Sequence, residues 1–313
     1  MKVFHHSRFS DPAALAARKR ALGLRAAVCI PTLDEAETIG TIVRAIRGGL
    51  MDGCGLVDEL WVIDSGSSDG TRRIARDAGS RVSLAADIPP AGGACPGKGE
   101  NLWKALHATD ADLIAFLDGD ITNFHPRFVA GLLGPLLDDP AVDYVKAFYE
   151  RPLSEPQGYR PTGGGRVSEI LVRPLLSLFY PELTTFLQPL AGEYAARREV
   201  FERLAFPAGY GVEIAHLIDL ARDRGLAAVA QVDLDERVHR NRGDEELGRM
   251  AFGILQVLFR RLERDGKLSL AAPLPELLRT WRFDGTALTE LARVVPEPER
   301  PPKQPPAAEK SAF

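Results

Sequence analysis

Over the first 120 residues, short apolar runs alternate with amphipathic stretches. The runs "AAVCIP" (26–31), "DELWVID" (58–64), "RVSLAA" (81–86) and "ADLIAFLD" (111–118) read as strands. Between them, 34–49, 67–79 and 99–109 carry apolar positions at helical spacing. A further short helix is expected over 10–23, with Ser10 as N-cap and Gly23 as stop. Strands alternating with helices predict an α/β fold, a doubly wound parallel sheet of Rossmann-like type. Such sheets place ligands beyond the carboxyl ends of their strands, and Pro31, Asp64 and Asp118 all fall there.

The second half is less regular. A strand is expected over 141–150, a Gly/Pro-rich loop over 153–165, and helices over 166–180, 211–225 and 244–266. A strand over 226–239 runs into polar residues. Four segments follow: a helical N-terminal extension (1–25), a ligand-binding half (26–150), a continuous second half (151–294), and a Pro-rich tail (295–313) read as disordered. The two halves are expected to share one core.

Composition narrows the class. The chain has 313 residues, 45% hydrophobic and 26% charged, with a formal net charge of −4. That is ordinary for a globular protein and predicts no nucleic-acid partner. The three cysteines, Cys29, Cys54 and Cys95, form no CxxC and suit a reducing compartment. No signal-peptide core opens the sequence, and no run approaches the ~20 apolar residues of a membrane span. A soluble cytoplasmic protein without a membrane partner is expected.

"FLDGD" (116–120) carries the sharpest chemistry: two carboxylates, Asp118 and Asp120, flank Gly119 where a buried strand ends. Side by side they repel and resist desolvation, so a positive group should sit between them. Hard oxygen donors at a strand end suit Mg²⁺ or Mn²⁺ on a diphosphate, the alternative being a plain Asp–Gly turn. His239, in "VHRNR", follows a strand and is a candidate third ligand or diphosphate contact. At the first strand end, Pro31, Thr32 and Leu33 offer a bed for a nucleoside. Asp34 or Glu35 could bond its ribose or base, or these residues could simply cap a helix. Asp64 and Ser65 occupy the same layer at the second strand end, with the same two readings. Lys98, between glycines in "PGKGEN", could serve a phosphate. "PTGGGRVSE" (161–169) combines unscreened backbone N–H groups, a helix start and Arg166, an arrangement suited to an anion. Glu193 and Glu213 lie beside glycines and could pair with arginine or hold a sugar hydroxyl.

The ordered set "IPTLDEAETI", "VIDSGSSDGT", "GKGENLWKAL" and "FLDGD" resembles the GT-A glycosyltransferases. With "GGGRVSEILVRPLLSLFYPEL", "LQPLAGEYAARRE", "PAGYGVEI" and "VHRNR" it resembles, from about Ala26 to Met250, the glucosyl-3-phosphoglycerate and mannosyl-3-phosphoglycerate synthases of bacteria. The resemblance implies transfer of glucose or mannose, with retention, from UDP-glucose, GDP-glucose or GDP-mannose to 3-phosphoglycerate by a metal-dependent homodimer. It implies Asp118, Asp120 and His239 as metal ligands. Pro31, Thr32, Leu33, Glu35, Ser65, Lys98, Asp118 and Gly119 would hold the nucleotide sugar. Gly165, Arg166, Val167, Ser168 and Asn241 would hold the acceptor, and Leu190 and Glu213 would frame the sugar beside Asp120 at the chemistry. No carboxylate stands out as a nucleophile, so front-face attack is expected, with the leaving diphosphate taking the acceptor proton. Rival readings are a transferase acting on a lipid phosphate and a nucleotide-sugar-binding protein without catalysis. Asp34 stands where the family more often has Asn, and Gly243 where proline is usual; both bear on donor preference.

Overall fold

In the computed structural model, residues 1–90, 95–155, 158–160, 165–238 and 243–303 are described. An eight-stranded sheet is built from β1 (Lys2–His5), β2 (Ala26–Thr32), β3 (Glu59–Asp64), β4 (Arg81–Leu84), β5 (Leu113–Phe116), β6 (Tyr144–Glu150), β7 (Tyr194–Arg197) and β8 (Val229–Glu236). Their order is β1-β8-β6-β7-β5-β2-β3-β4. All neighbours pair in parallel except β7, which runs antiparallel to both β5 and β6.

Alternation along the strands explains the layers. Val28 and Ile30 join one buried cluster, Ala27 and Cys29 the other; Leu113 and Ala115 part from Ile114 and Phe116 in the same way. Both faces are apolar, so both need helical cover. One face is covered by α1 (Pro12–Ala21), α2 (Ile39–Ile46), α3 (Thr71–Asp77) and α5 (Arg127–Asp138). The other carries α4 (Lys98–Ala108), α6 (Arg173–Phe179), α7 (Val212–Arg224) and α8 (Asp244–Arg264).

Four expectations need correction. The first helix begins at Pro12 and is capped by Asp11, not Ser10; Asp11 accepts the N–H groups of Ala13 and Ala14 at 3.0 Å. The first 25 residues are not a purely helical extension, because β1 pairs with β8 at the sheet edge. Its four residues are mostly exposed, and so short an edge strand has little hydrophobic signature. The helix α5 has no forecast counterpart. Its glycines weaken the pattern, yet they are there for packing: a Cβ on Gly134 would meet the Phe9 ring at 2.3 Å, and one on Gly131 would meet Leu234 at 2.7 Å.

The fourth correction concerns the tail. Over 295–303 it is packed, not disordered. Glu299–Arg300 pairs antiparallel with Phe206–Pro207, Glu297 accepts from the Gly209 N–H at 3.0 Å, and Trp103 Nε1 donates to the Pro301 carbonyl at 3.0 Å. Arg300 grips the fully buried Glu100 of α4 through two bonds of 2.6 and 2.9 Å. Proline withholds backbone donors, but side chains and carbonyls supply the contacts here. Residues 304–313 lie outside the described chain. A hairpin, β9 (Leu277–Phe283) and β10 (Leu288–Val294), precedes this clasp and stands off the core.

Candidate active site

At the carboxyl end of β5 the two charges of "DGD" meet their positive partner. Arg237, just past the end of β8 and 2% exposed, places Nη2 2.9 Å from Asp118 Oδ2 and 2.7 Å from Asp120 Oδ1. Its Nε donates to Glu193 Oε1 at 2.8 Å, and Glu193 also accepts from the Tyr149 hydroxyl. A second cation comes from the first residue of α4: Lys98 Nζ lies 2.5 Å from Asp118 Oδ1 and 2.8 Å from Glu213 Oε1. Burial alone would push Asp118 up, but Lys98 and Arg237 outweigh it and hold the carboxyl well below the usual range. Burial likewise acts to lower the Lys98 ammonium, and Asp118 and Glu213 reverse this and raise it. Lys98, Arg237 and Asp118 are therefore all charged at neutral pH.

Close backbone approaches aim Lys98. The start of α4 lies against residues 207–209, where the Gly99 and Glu100 N–H groups donate to the Gly209 and Ala208 carbonyls at 3.3 and 3.0 Å. A Cβ on Gly99 would come within 1.8 Å of the Pro207 carbonyl oxygen. Gly192 plays the same part for the ion pair itself, since a Cβ there would meet Asp118 oxygens at 2.3 Å and Lys98 Nζ at 2.4 Å. Glycine is thus required at both places by space rather than by backbone freedom.

Lys98, Asp118, Asp120, Glu213 and Arg237 line one cleft of about 520 Å³. Most candidates among the described residues open onto it: Pro31, Thr32, Leu33, Asp34, Glu35, Ser65, Lys98, Asp118, Gly119, Asp120, Gly165, Arg166, Val167, Ser168, Leu190 and Glu213, whereas Glu193 is fully buried behind it. His239 and Asn241 lie outside the described residues, as do two of the three glycines before Arg166. Asp64 does not line the cleft. It is fully buried and organises the β3 turn, accepting from Gly66 N and Ser67 N at 2.9 and 2.8 Å and from Thr32 Oγ1 at 2.9 Å. Asn101 braces the end of β3, accepting from Ser65 Oγ at 2.9 Å and donating to the Ile63 carbonyl at 2.9 Å, and reaches the Thr32 carbonyl of β2 at 3.5 Å. Arg166 pairs with Asp244 at the start of α8.

Sequence reasoning missed Arg237, Arg151, Asn101 and Tyr210, all on the cleft wall. Arg237 had a signal. Two adjacent carboxylates demanded a cation, and an arginine stood two residues before His239. Tyr210 and the α8 residues Leu247 and Met250 had none, because only the tertiary fold brings them to the cleft.

A sheet with a cation-bound Asp-Gly-Asp at a central strand end, and a cleft roofed by the second half of the chain, defines a glycosyltransferase of the GT-A type. The family model described as "Glycosyl transferase family 2" matches residues 27–204. The glucosyl-3-phosphoglycerate synthase of Petrotoga mobilis is 50% identical over 275 residues, covering 88% of this chain and 85% of that protein. Among solved structures, mannosyl-3-phosphoglycerate synthase from Rubrobacter xylanophilus superposes with a TM-score of 0.87 at 37% identity, covering 96% of this chain and 94% of that one. Glucosyl-3-phosphoglycerate synthase from Mycobacterium tuberculosis, in complex with Mn²⁺, uridine diphosphate and phosphoglyceric acid, gives 0.81 at 40% identity over 94% of both chains. The chain belongs to the glucosyl-3-phosphoglycerate and mannosyl-3-phosphoglycerate synthases of glycosyl transferase family 2.

Proposed function

We propose that the cleft transfers glucose from UDP-glucose to 3-phosphoglycerate with retention, giving glucosyl-3-phosphoglycerate. The observation that carries the reading is that the Asp118–Asp120 strand end and the Gly165–Ser168 helix start, one suited to a diphosphate and the other to an anionic acceptor, wall the same cleft. The donor set suits a hard divalent cation: Asp118 and Asp120 already turn an oxygen each onto one positive group, Arg237 Nη2. Asp118 and Asp120, with His239, would hold Mg²⁺ or Mn²⁺, which supplies charge compensation for the departing diphosphate.

The chain's own residues do the rest. Pro31, Thr32, Leu33, Glu35 and Ser65 bed the nucleoside beside Gly119. Lys98 and Arg237 face the diphosphate as fixed cations, so charge developing there meets groups that need no reorganisation. Leu190 and Glu213 frame the sugar. Gly165, Arg166, Val167, Ser168 and Asn241 hold the acceptor, which requires Arg166 to exchange Asp244 for the ligand's anion. The floor carboxylates Asp118, Asp120 and Glu213, and Glu193 buried behind them, are each tied to Lys98 or Arg237. None is poised as a nucleophile, and this favours same-face attack with the leaving phosphate oxygen accepting the acceptor's proton.

A second donor reading, mannose from GDP-mannose, is favoured by the likeness to the Rubrobacter enzyme. Incubation with 3-phosphoglycerate and each of UDP-glucose, GDP-glucose and GDP-mannose separates the two; a clear preference for a mannosyl donor would overturn the glucosyl reading. A cytoplasmic homodimer belongs to the same proposal. Its support is that the cysteines are free, and that Trp281, Phe283, Leu288 and Val294 are exposed along one face of the β9–β10 hairpin. Light scattering at twice the chain mass is the expected result. No helix among the described residues is long and apolar enough to cross a membrane.

A further inference from the structure

On the far edge of the sheet, His5, His6 and Asp235 bring one ligand atom each to within 4.8 Å of one another. We propose that these three residues form a second metal site, selective for a borderline transition-metal ion such as Zn²⁺ over Mg²⁺, which latches the N-terminal strand to β8, the strand that leads into Arg237.

The backbone explains why neighbouring histidines can converge. Side chains alternate faces along a strand, but β1 ends at His5 and His6 opens a 3₁₀ turn, so both rings reach the same carboxylate. Their centroids are 4.5 Å apart. His5 Nε2 lies 2.9 Å from Asp235 Oδ1, and His6 Nε2 lies 2.6 Å from Asp235 Oδ2. Those separations approach the edges, about 3.3 Å, of a tetrahedron with metal–nitrogen and metal–oxygen bonds of ~2.0–2.1 Å. Asp235 itself sits at φ 68°, a left-handed conformation unusual for a residue with a side chain, at the register shift between Asp233 and Glu236. Its N–H is taken by Asp233 Oδ1 at 2.9 Å, which fixes the turn and swings the carboxylate back toward β1. A strained residue that presents a ligand atom fits a site better than a plain turn does.

The orienting contact is also present. His5 Nδ1 is 2.8 Å from Ser7 Oγ. With a metal on Nε2, the ring proton moves to Nδ1 and is accepted by that hydroxyl, at the loss of the Ser7 N–H contact at 3.2 Å. Two neutral imidazoles and one carboxylate are a donor set for Zn²⁺, Co²⁺ or Ni²⁺ and a poor one for Mg²⁺. Arg127 is the opposing charge. Its Nη1 stays 3.9 Å from Asp235 Oδ2, while its Nε donates to the Leu234 carbonyl at 3.2 Å. The site is remote in chemistry from the cleft but not in chain: Arg237 follows Asp235 by two residues.

The test titrates Zn²⁺ into the full chain against a chromophoric chelator, in Mg²⁺ buffer. Wild type is expected to take up one Zn²⁺ equivalent at least tenfold more tightly than a His5→Ala, His6→Ala double variant or an Asp235→Asn variant. An Asp118→Ala variant should keep that equivalent. A Zn²⁺-dependent rise in Tm should appear in wild type and vanish in the double variant, whose Mg²⁺-supported activity stays at the wild-type level. Equal Zn²⁺ uptake by wild type and both edge variants would overturn the site, as would loss of the equivalent in Asp118→Ala.

Discussion

Arg166 and Arg237 show how differently two arginines can serve one cleft. Arg237 is buried and held by three carboxylates, Asp118, Asp120 and Glu193, so its position is fixed before any ligand arrives. Arg166 is partly exposed and paired with a surface aspartate, a partner worth little in water. Arg166→Ala should therefore leave stability almost unchanged and raise the acceptor KM roughly 10- to 150-fold, from the ~1.5–3 kcal/mol of a charged hydrogen bond. Donor KM should move little, and glycerate lacking the phosphate should lose less than 3-phosphoglycerate does. Steady-state kinetics with both acceptors checks this; equal losses would remove Arg166 from the phosphate. At this scale the sequence was informative where chemistry is local. Asp118, Asp120 and Lys98 were legible because strand ends and glycines announced them. Arg237 was implied by the charge it had to balance, whereas Tyr210 and Met250 reach the cleft only through the packing of distant helices.

Among elements, α4 and the tail form a unit that neither segment suggests alone. Lys98 projects from the first residue of α4, and that helix end is held by Arg300 on Glu100 and by residues 207–209. Arg300→Met leaves a fully buried carboxylate without its cation, which costs about 3–5 kcal/mol. Thermal unfolding should shift down accordingly, with a rise in donor KM as α4 loosens. An Arg300→Met, Glu100→Leu double variant should recover much of the stability, because the uncompensated charge is then gone. If the double variant is no more stable than the single, the tail is not acting through Glu100. The strands and helices of the first half were readable since each carries its own period. The tail was misread because its order comes from side chains elsewhere, and α5 was missed because glycines needed for contact with Phe9 and Leu234 dilute its pattern.

Across the whole molecule, the sheet's centre holds a liability. Lys146, on β6, is fully buried, its Nζ has no hydrogen-bond partner among the described residues, and it rests 4.5 Å from the Tyr194 ring centroid. Burial pushes its pKa down to about 7, against the partial support of Glu213. The unfolded chain keeps this proton up to ~10.4. Between those values the unfolded state binds more protons, so this residue makes stability rise with pH. The burden of a buried charge is then largest below pH 7. Lys146→Met should raise Tm by on the order of 5 °C at pH 6, and the gain should shrink steadily toward pH 10. A gain independent of pH would mean that Lys146 does not change charge in this range.

Joining of a sugar nucleotide to a phosphorylated acid in one cleft is the reaction proposed. It is tested most directly by following UDP release from UDP-glucose in Mg²⁺ buffer, with and without 3-phosphoglycerate, and reading the product's anomeric proton by NMR. Release that depends on both the metal and 3-phosphoglycerate, with an α-linked glucosyl-3-phosphoglycerate as product, is the predicted result. UDP release unaffected by 3-phosphoglycerate, or a β-linked product, would contradict it.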